Sequence, residues 1–118
     1  MQKNSSIHLQ EELPENWERI EGLLVMHFGQ SWSGASLFTQ GSVVEAIRQY
    51  PEQLCAFEIN EENGKRFKER FRVTQIPTVL IFQQGRMMAN FVGLFPRHKL
   101  LETIENLLHN PSDSTIEQ

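Results

Sequence analysis

A single cysteine, Cys55, and a single aspartate, Asp113, stand among the 118 residues of this chain. One thiol leaves no internal disulfide and no cysteine-based zinc site. The only aspartate lies in a polar C-terminal stretch, so chemistry that needs a buried aspartate has no residue to use. Long apolar runs are also missing, and none approaches the ~20 residues of a membrane span. Residues 1–6 lead into an apolar stretch too short for a secretory signal, which makes the cytoplasm the expected location. There is no glycine-rich phosphate loop, and His8, His98 and His109 have no metal-ligand spacing to one another, so neither cofactor nor metal is expected. Positive charge is scarce as well. Eleven Lys and Arg against fifteen acids give a net charge of −4. That balance argues against nucleic acid or a membrane surface as partner, because phosphate affinity needs a cationic face. The five Lys/Arg between Glu61 and Arg72 read as the solvated side of a helix.

What is present suffices for one packed domain. Hydrophobic residues make up 39% and charged residues 22%, within the range of globular proteins. Ile7-His8-Leu9 alternates briefly and predicts an edge strand. Leu13 to Glu21, with Pro14 near its start and Trp17 and Ile20 three apart, predicts a short amphipathic helix. Leu23 to Phe28 is a buried strand ended by Gly29. Ser33 to Tyr50 reads as a long helix, capped by Ser33 and carrying Leu37, Val44, Ile47 and Tyr50 on its apolar side. Gly41 at its centre implies a bend or a close neighbour, and Pro51 stops it. Leu54 to Ile59 is a second strand, and Glu62 to Phe71 a charged helix with Phe67 and Phe71 on one stripe. Thr78 to Phe82 is the strongest strand signal, followed by a Gln84-Gly85 turn and a hairpin partner over Met87 to Val92. Pro96 opens a last helix whose apolar face holds Leu100, Leu101, Ile104, Leu107 and Leu108. The order β-α-β-α-β-α-β-β-α predicts an α/β domain over 1–109, a mixed sheet with helices on both faces, and a polar tail over 110–118.

Three local motifs then matter. Trp32-Ser33-Gly34-Ala35-Ser36 lies at a strand-to-helix junction, Ile76-Pro77-Thr78 opens the strongest strand, and Val92-Gly93 precedes the last helix. In order and spacing the chain resembles thioredoxin over about residues 5 to 109. Thioredoxins carry Trp-Cys-Gly-Pro-Cys at the first motif and a cis proline in the second. The resemblance therefore implies the thioredoxin fold, a cis Pro77, and a peptide-binding rim of Trp32, Gln75, Ile76, Pro77, Gly93, Leu94 and Phe95. Gly41 falls where the family often places a helix-kinking proline.

The departures from the family pattern bear on activity. In thioredoxins a thiolate at a helix N-terminus attacks a disulfide and a second cysteine resolves it. Here Ser33 and Ser36 occupy both positions, Ala35 replaces the intervening proline, and His27 stands where the family keeps a buried aspartate. A hydroxyl has no redox couple, so no catalytic residue is assigned and thiol–disulfide exchange at this site is not expected. Two readings follow. One is a redox-inactive module that binds a protein or peptide client around Trp32, Pro77 and Leu94, as chaperone, maturation factor or adaptor; some thioredoxin-like maturation chaperones likewise lack the cysteine pair. The other is an oxidoreductase whose two cysteines were replaced by engineering. Self-association through the Met87/Met88 hairpin edge or the basic helix is a third possibility.

A serine hydrolase built on Ser33 and His27 would need an orienting acid, and no acid lies near them in the sequence. The plainer expectation is that Ser33 caps a helix and His27 is a buried, neutral, hydrogen-bonded histidine. Cys55 is expected to serve as a small buried hydrophobe. Leu94 and Phe95 could form a groove wall or tuck under the last helix as core.

Overall fold

The computed structural model describes residues 9–30 and 32–109. Ile7 and His8 of the expected first strand, and the 110–118 tail, lie outside them. Seven main elements follow in order: β1 (Leu23–Phe28), α1 (Gly34–Gln49), β2 (Leu54–Ile59), α2 (Glu61–Phe71), β3 (Thr78–Gln83), β4 (Arg86–Val92) and α3 (Arg97–His109). The strands form one mixed sheet in the order β2-β1-β3-β4. β1 runs parallel to β2 and antiparallel to β3, and β3 pairs antiparallel with β4. Gln10 adds a single parallel bridge to Phe57 outside β2.

The period-two alternation of the strands divides the core. Leu23 and Val25 of β1, Leu54 and Ala56 of β2, and Val79 and Ile81 of β3 face Val43 and Ala46 of α1 and Leu100, Ile104 and Leu107 of α3. Leu24, Met26, Phe28, Phe57, Ile59, Leu80 and Phe82 face the other way, onto Trp17 and the Phe67 and Phe71 stripe of α2. Apolar residues on both faces of β1 and β3 are why these strands read as continuous hydrophobic runs. The hairpin between β3 and β4 turns through Gln84 and Gly85, at φ 50° and 81°. Positive φ at both central positions matches the right-handed twist of the flanking strands.

Two expectations need correction. The helix predicted over Leu13 to Glu21 is only a single 3₁₀ turn, Trp17–Arg19. Nine residues ended by Gly22 are too few for a cooperative helix, and Leu13, Trp17 and Ile20 pack directly on the α2-side core instead. On α1 the stripe is rotated from the one predicted. Its buried residues are Ser36, Thr39, Ser42, Val43 and Ala46, with Val44, Ile47 and Tyr50 flanking them, and Leu37 is 53% exposed. Small residues at the contact let the helix lie close to the sheet, an arrangement that hydrophobicity alone does not mark. Gly41 serves close packing: a Cβ there would lie 3.3 Å from Nη2 of Arg97, whose Nε donates to Ser42 Oγ at 3.2 Å.

Candidate functional site

The end of β1 and the start of α1 meet in the Trp32–Ser36 turn. Ser33 is the N-cap of α1, its Oγ accepting from the Ser36 backbone N–H at 3.2 Å. Ser36 is buried, and its Oγ accepts from the Gln30 backbone N–H at 2.9 Å. Both hydroxyls thus bond to the backbone at the helix entrance, and neither position carries sulfur. The Ile76–Pro77 peptide bond is cis. Next to it, the Gly93 N–H donates to the Pro77 carbonyl at 2.8 Å and Thr78 Oγ1 donates to the Gln75 carbonyl at 2.7 Å.

Beneath the turn lies His27, with only 1% of its side chain exposed. Parallel register sets His27 beside Glu58, on the sheet face that α1 covers. Its Nδ1 is 2.7 Å from Glu58 Oε1 and its Nε2 is 2.6 Å from Thr39 Oγ1. A carboxylate only accepts, so Nδ1 carries the proton that goes to Glu58. In the neutral ring Nε2 accepts the Thr39 hydroxyl. In the cation Nε2 donates, and the hydroxyl turns to the Ser36 carbonyl 3.0 Å away. Both settings leave the two ring nitrogens and the Thr39 hydroxyl bonded, and among the described residues no buried side-chain polar atom lacks a partner. Gly29 makes room for the ring, since a Cβ there would fall 2.5 Å from His27 Cε1.

This network corrects one expectation: an acid does lie beside His27. The two ring nitrogens, however, are taken by Glu58 and Thr39, not by Ser33. Thr39 is fully buried and in no position to attack a substrate. The expected hydrogen-bonded, buried histidine is what the geometry contains. Sequence reasoning missed Glu58 and Thr39. Glu58 left a signal, a charge at the inward-alternating position of an otherwise apolar strand. Thr39 left none.

Three of the expected rim residues, Trp32, Leu94 and Phe95, line two concavities beside the turn, and Gln75, Ile76, Pro77 and Gly93 line neither. A cleft of about 480 Å³ is lined by His27, Trp32, Ser36, Gln40 and Glu58, among others. A shallower apolar groove of about 550 Å³ is lined by Gly34, Ala35, Phe38, Leu94, Phe95 and Pro96. Trp32 therefore borders the polar cleft rather than the groove of Leu94. Of the two residues with alternative roles, Leu94 is 62% exposed, whereas Phe95 is partly buried on the α1–α3 core, its ring 4.7 Å from that of Phe91. Gln75 is exposed, Ile76 half-buried and Pro77 buried.

Among the described residues no group of three or more His, Cys, Asp or Glu could hold a metal ion, and no helix is long and apolar enough to cross a membrane. Cys55 is on the α2 side of the sheet, half-buried, and burial pushes its thiol pKa up. Native chain at pH 8 is therefore expected to alkylate at least about tenfold more slowly than chain in urea. Equal rates would show that the thiol is not shielded. A thiol pKa raised on folding contributes fully to stability below the unfolded pKa, and that contribution is lost as pH rises through the folded one.

A mixed sheet with α1 and α3 on one face, α2 on the other, and a Trp-Ser-Gly-Ala-Ser turn beside Ile-Pro-Thr defines a thioredoxin-fold protein with serines at the dithiol positions. The thioredoxin family model matches residues 7–106, and the chain belongs to that family. It is 27% identical over 95 residues to thioredoxin-1 of Drosophila melanogaster, covering 77% of this chain and 88% of that one. Thioredoxin 1 of Synechococcus elongatus is 25% identical over 85 residues, covering 72% and 79%. Among solved structures, the thioredoxin of Trypanosoma brucei brucei superposes with a TM-score of 0.76 at 16% identity, covering 92% of this chain and 98% of that chain. Mitochondrial thioredoxin 3 of Saccharomyces cerevisiae gives 0.72 at 18% identity, covering 84% and 95%.

Proposed function

We propose that this protein is a redox-inactive member of the family that binds an extended segment of a client polypeptide across the start of α1. The observation that carries this reading is a set of uncovered apolar side chains at that end. Trp32 is 78% exposed, and Leu37, Phe38 and Leu94 are exposed with it. Large apolar groups left in water together mark a surface that another molecule covers. Without a sulfur at 33 or 36, holding a client depends on apolar contact and main-chain hydrogen bonds. Gln75, Ile76 and Pro77 are the segment through which family resemblance suggests such strand-like pairing. A cytoplasmic setting fits a chain with one shielded thiol. The client's role, whether chaperoned, matured or tethered, follows from its identity.

The test is an array of extended peptides probed with the full chain, comparing wild type with Trp32→Ala combined with Leu94→Asp. Both side chains are exposed, so the variant is expected to keep the wild-type circular dichroism and melting profile. Captured peptides should be lost by at least about tenfold in affinity, the scale of removing one central aromatic anchor. Equal capture by a folded variant would overturn the reading.

A further inference from the structure

The cleft on the Trp32 side has a chemistry of its own. Two carboxylates line it, Glu58 and Glu11, together with the amide side chains of Gln30, Gln40 and Asn60 and the indole of Trp32. Among the described residues that line it there is no lysine or arginine. Glu58 is the focus. Its side chain is only 17% exposed, and both hydrogen bonds it accepts, from His27 Nδ1 and from Gln40 Nε2 at 3.3 Å, fall on Oε1. Oε2 is thus left to the cleft. A partly sheltered carboxylate attracts a cation more strongly than one in open water, because screening is weaker there. Trp32, 78% exposed, offers its indole face to a cation entering beside it.

We propose that this cleft is the receptor for an arginine side chain of the bound polypeptide, a specificity pocket that rests on the polypeptide-binding reading above. Three features select guanidinium over ammonium. A planar fork can bond a carboxylate and still present N–H groups to neighbouring amide oxygens. It stacks on an indole, and it sheds its hydration more readily than a lysine ammonium. Gln40, whose Nε2 donates to Glu58 Oε1, sets an amide oxygen of its own beside the carboxylate, which suits five donors better than three. The client implied is therefore a polypeptide with an arginine close to the segment that crosses the start of α1.

The probe is acetyl-Gly-Arg-Gly-amide, titrated into the isotopically labelled full chain and followed by the Trp32 indole N–H and the Gln40 side-chain amide. The comparison is the same peptide with citrulline, which keeps the shape and removes the charge. Saturable shifts are expected with the arginine peptide within about 10 mM, with citrulline at least about tenfold weaker and lysine between the two. Glu58→Gln keeps an acceptor for His27, and in that variant the arginine–citrulline difference should collapse. Equal binding of arginine and citrulline peptides, or no saturable shift with either, overturns the pocket. If the pocket fails while the peptide array still shows Trp32- and Leu94-dependent capture, the binding module stands without this specificity. If the arginine peptide binds but the array captures nothing that the double variant loses, the cleft binds guanidinium while the module reading, and with it the pocket's role in a client, falls.

Discussion

His27→Asp is expected to destabilise the protein by about 3–5 kcal/mol, the cost of an uncompensated buried charge. The fall in melting temperature should exceed about 10 °C for a domain of this size. Strand register sets this cost. β1 and β2 pair in parallel with His27 opposite Glu58, so any side chain at position 27 faces that carboxylate under α1. Imidazole presents an N–H to Glu58 at 2.7 Å and bonds Thr39 with its other nitrogen. An aspartate would set a second carboxylate against the first, a repulsion of about 4 kcal/mol at 4 Å with an effective dielectric of 20. It would also leave the volume of the ring unfilled. His27→Asn separates the causes, since it keeps a donor toward Glu58 without the charge and should cost about half as much. Urea unfolding of the two variants at neutral pH, alone and combined with Glu58→Gln, decides the matter. The carboxamide at 58 should recover much of the aspartate penalty. Equal losses for the Asp and Asn variants would mean that volume, not like charge, sets the cost. The residue that looks like a missing family aspartate is thus held in place by its neighbour, and restoring the aspartate alone would harm the fold.

Trp17→Ala is expected to cost a similar ~3–5 kcal/mol, as a truncated core aromatic does when its cavity cannot collapse. Trp17 is 5% exposed and bridges β3 and α2 through three aromatic rings. Its ring meets Phe82 of β3 edge-on at 5.2 Å, Phe71 of α2 at 6.0 Å and Phe67 of α2 at 6.4 Å. Edge-to-face pairs of this kind add to the area they bury. The guanidinium of Arg70 lies 5.3 Å over the same ring and pairs with Glu18 at 2.7 Å. That ion pair is half exposed at both ends and contributes little beside the aromatic packing. The loss should therefore be local in character. Amide hydrogens of α2 are expected to exchange faster in Trp17→Ala, while those of β1 and β3 keep an order closer to wild type. Trp17→Phe should recover more than half of the stability. A loss under about 1 kcal/mol would mean that α2 is held by the sheet without this plug.

Much of the fold is written locally. Six-residue apolar strands, the Pro51 stop, the Gln84-Gly85 turn and the Phe67/Phe71 stripe each depend on neighbours within a turn or a hairpin, and each is where the sequence puts it. The failures share a cause. Leu13 to Glu21 has helical spacing, but its apolar residues find the aromatic cluster before a helix can propagate. Leu37 has the spacing of a core residue, but Thr39, Ser42 and Val43 win the sheet because the helix lies too close for leucine. Leu94 and Phe95 are adjacent and similar in character, yet the backbone after Val92 sends one to solvent and the other onto the core.

The sequence by itself determined the order of elements, the two-faced sheet, the family and the absence of sulfur from positions 33 and 36, because these follow from composition, local periodicity and short motifs. Only the tertiary structure decided that His27 answers to Glu58, 31 positions away, and to Thr39 across the helix contact. It alone put Trp32 at an acidic cleft and Leu94 and Phe95 at a separate apolar groove. Strand register and helix approach are long-range choices, made by the packing of the whole core, and no short window of residues carries them.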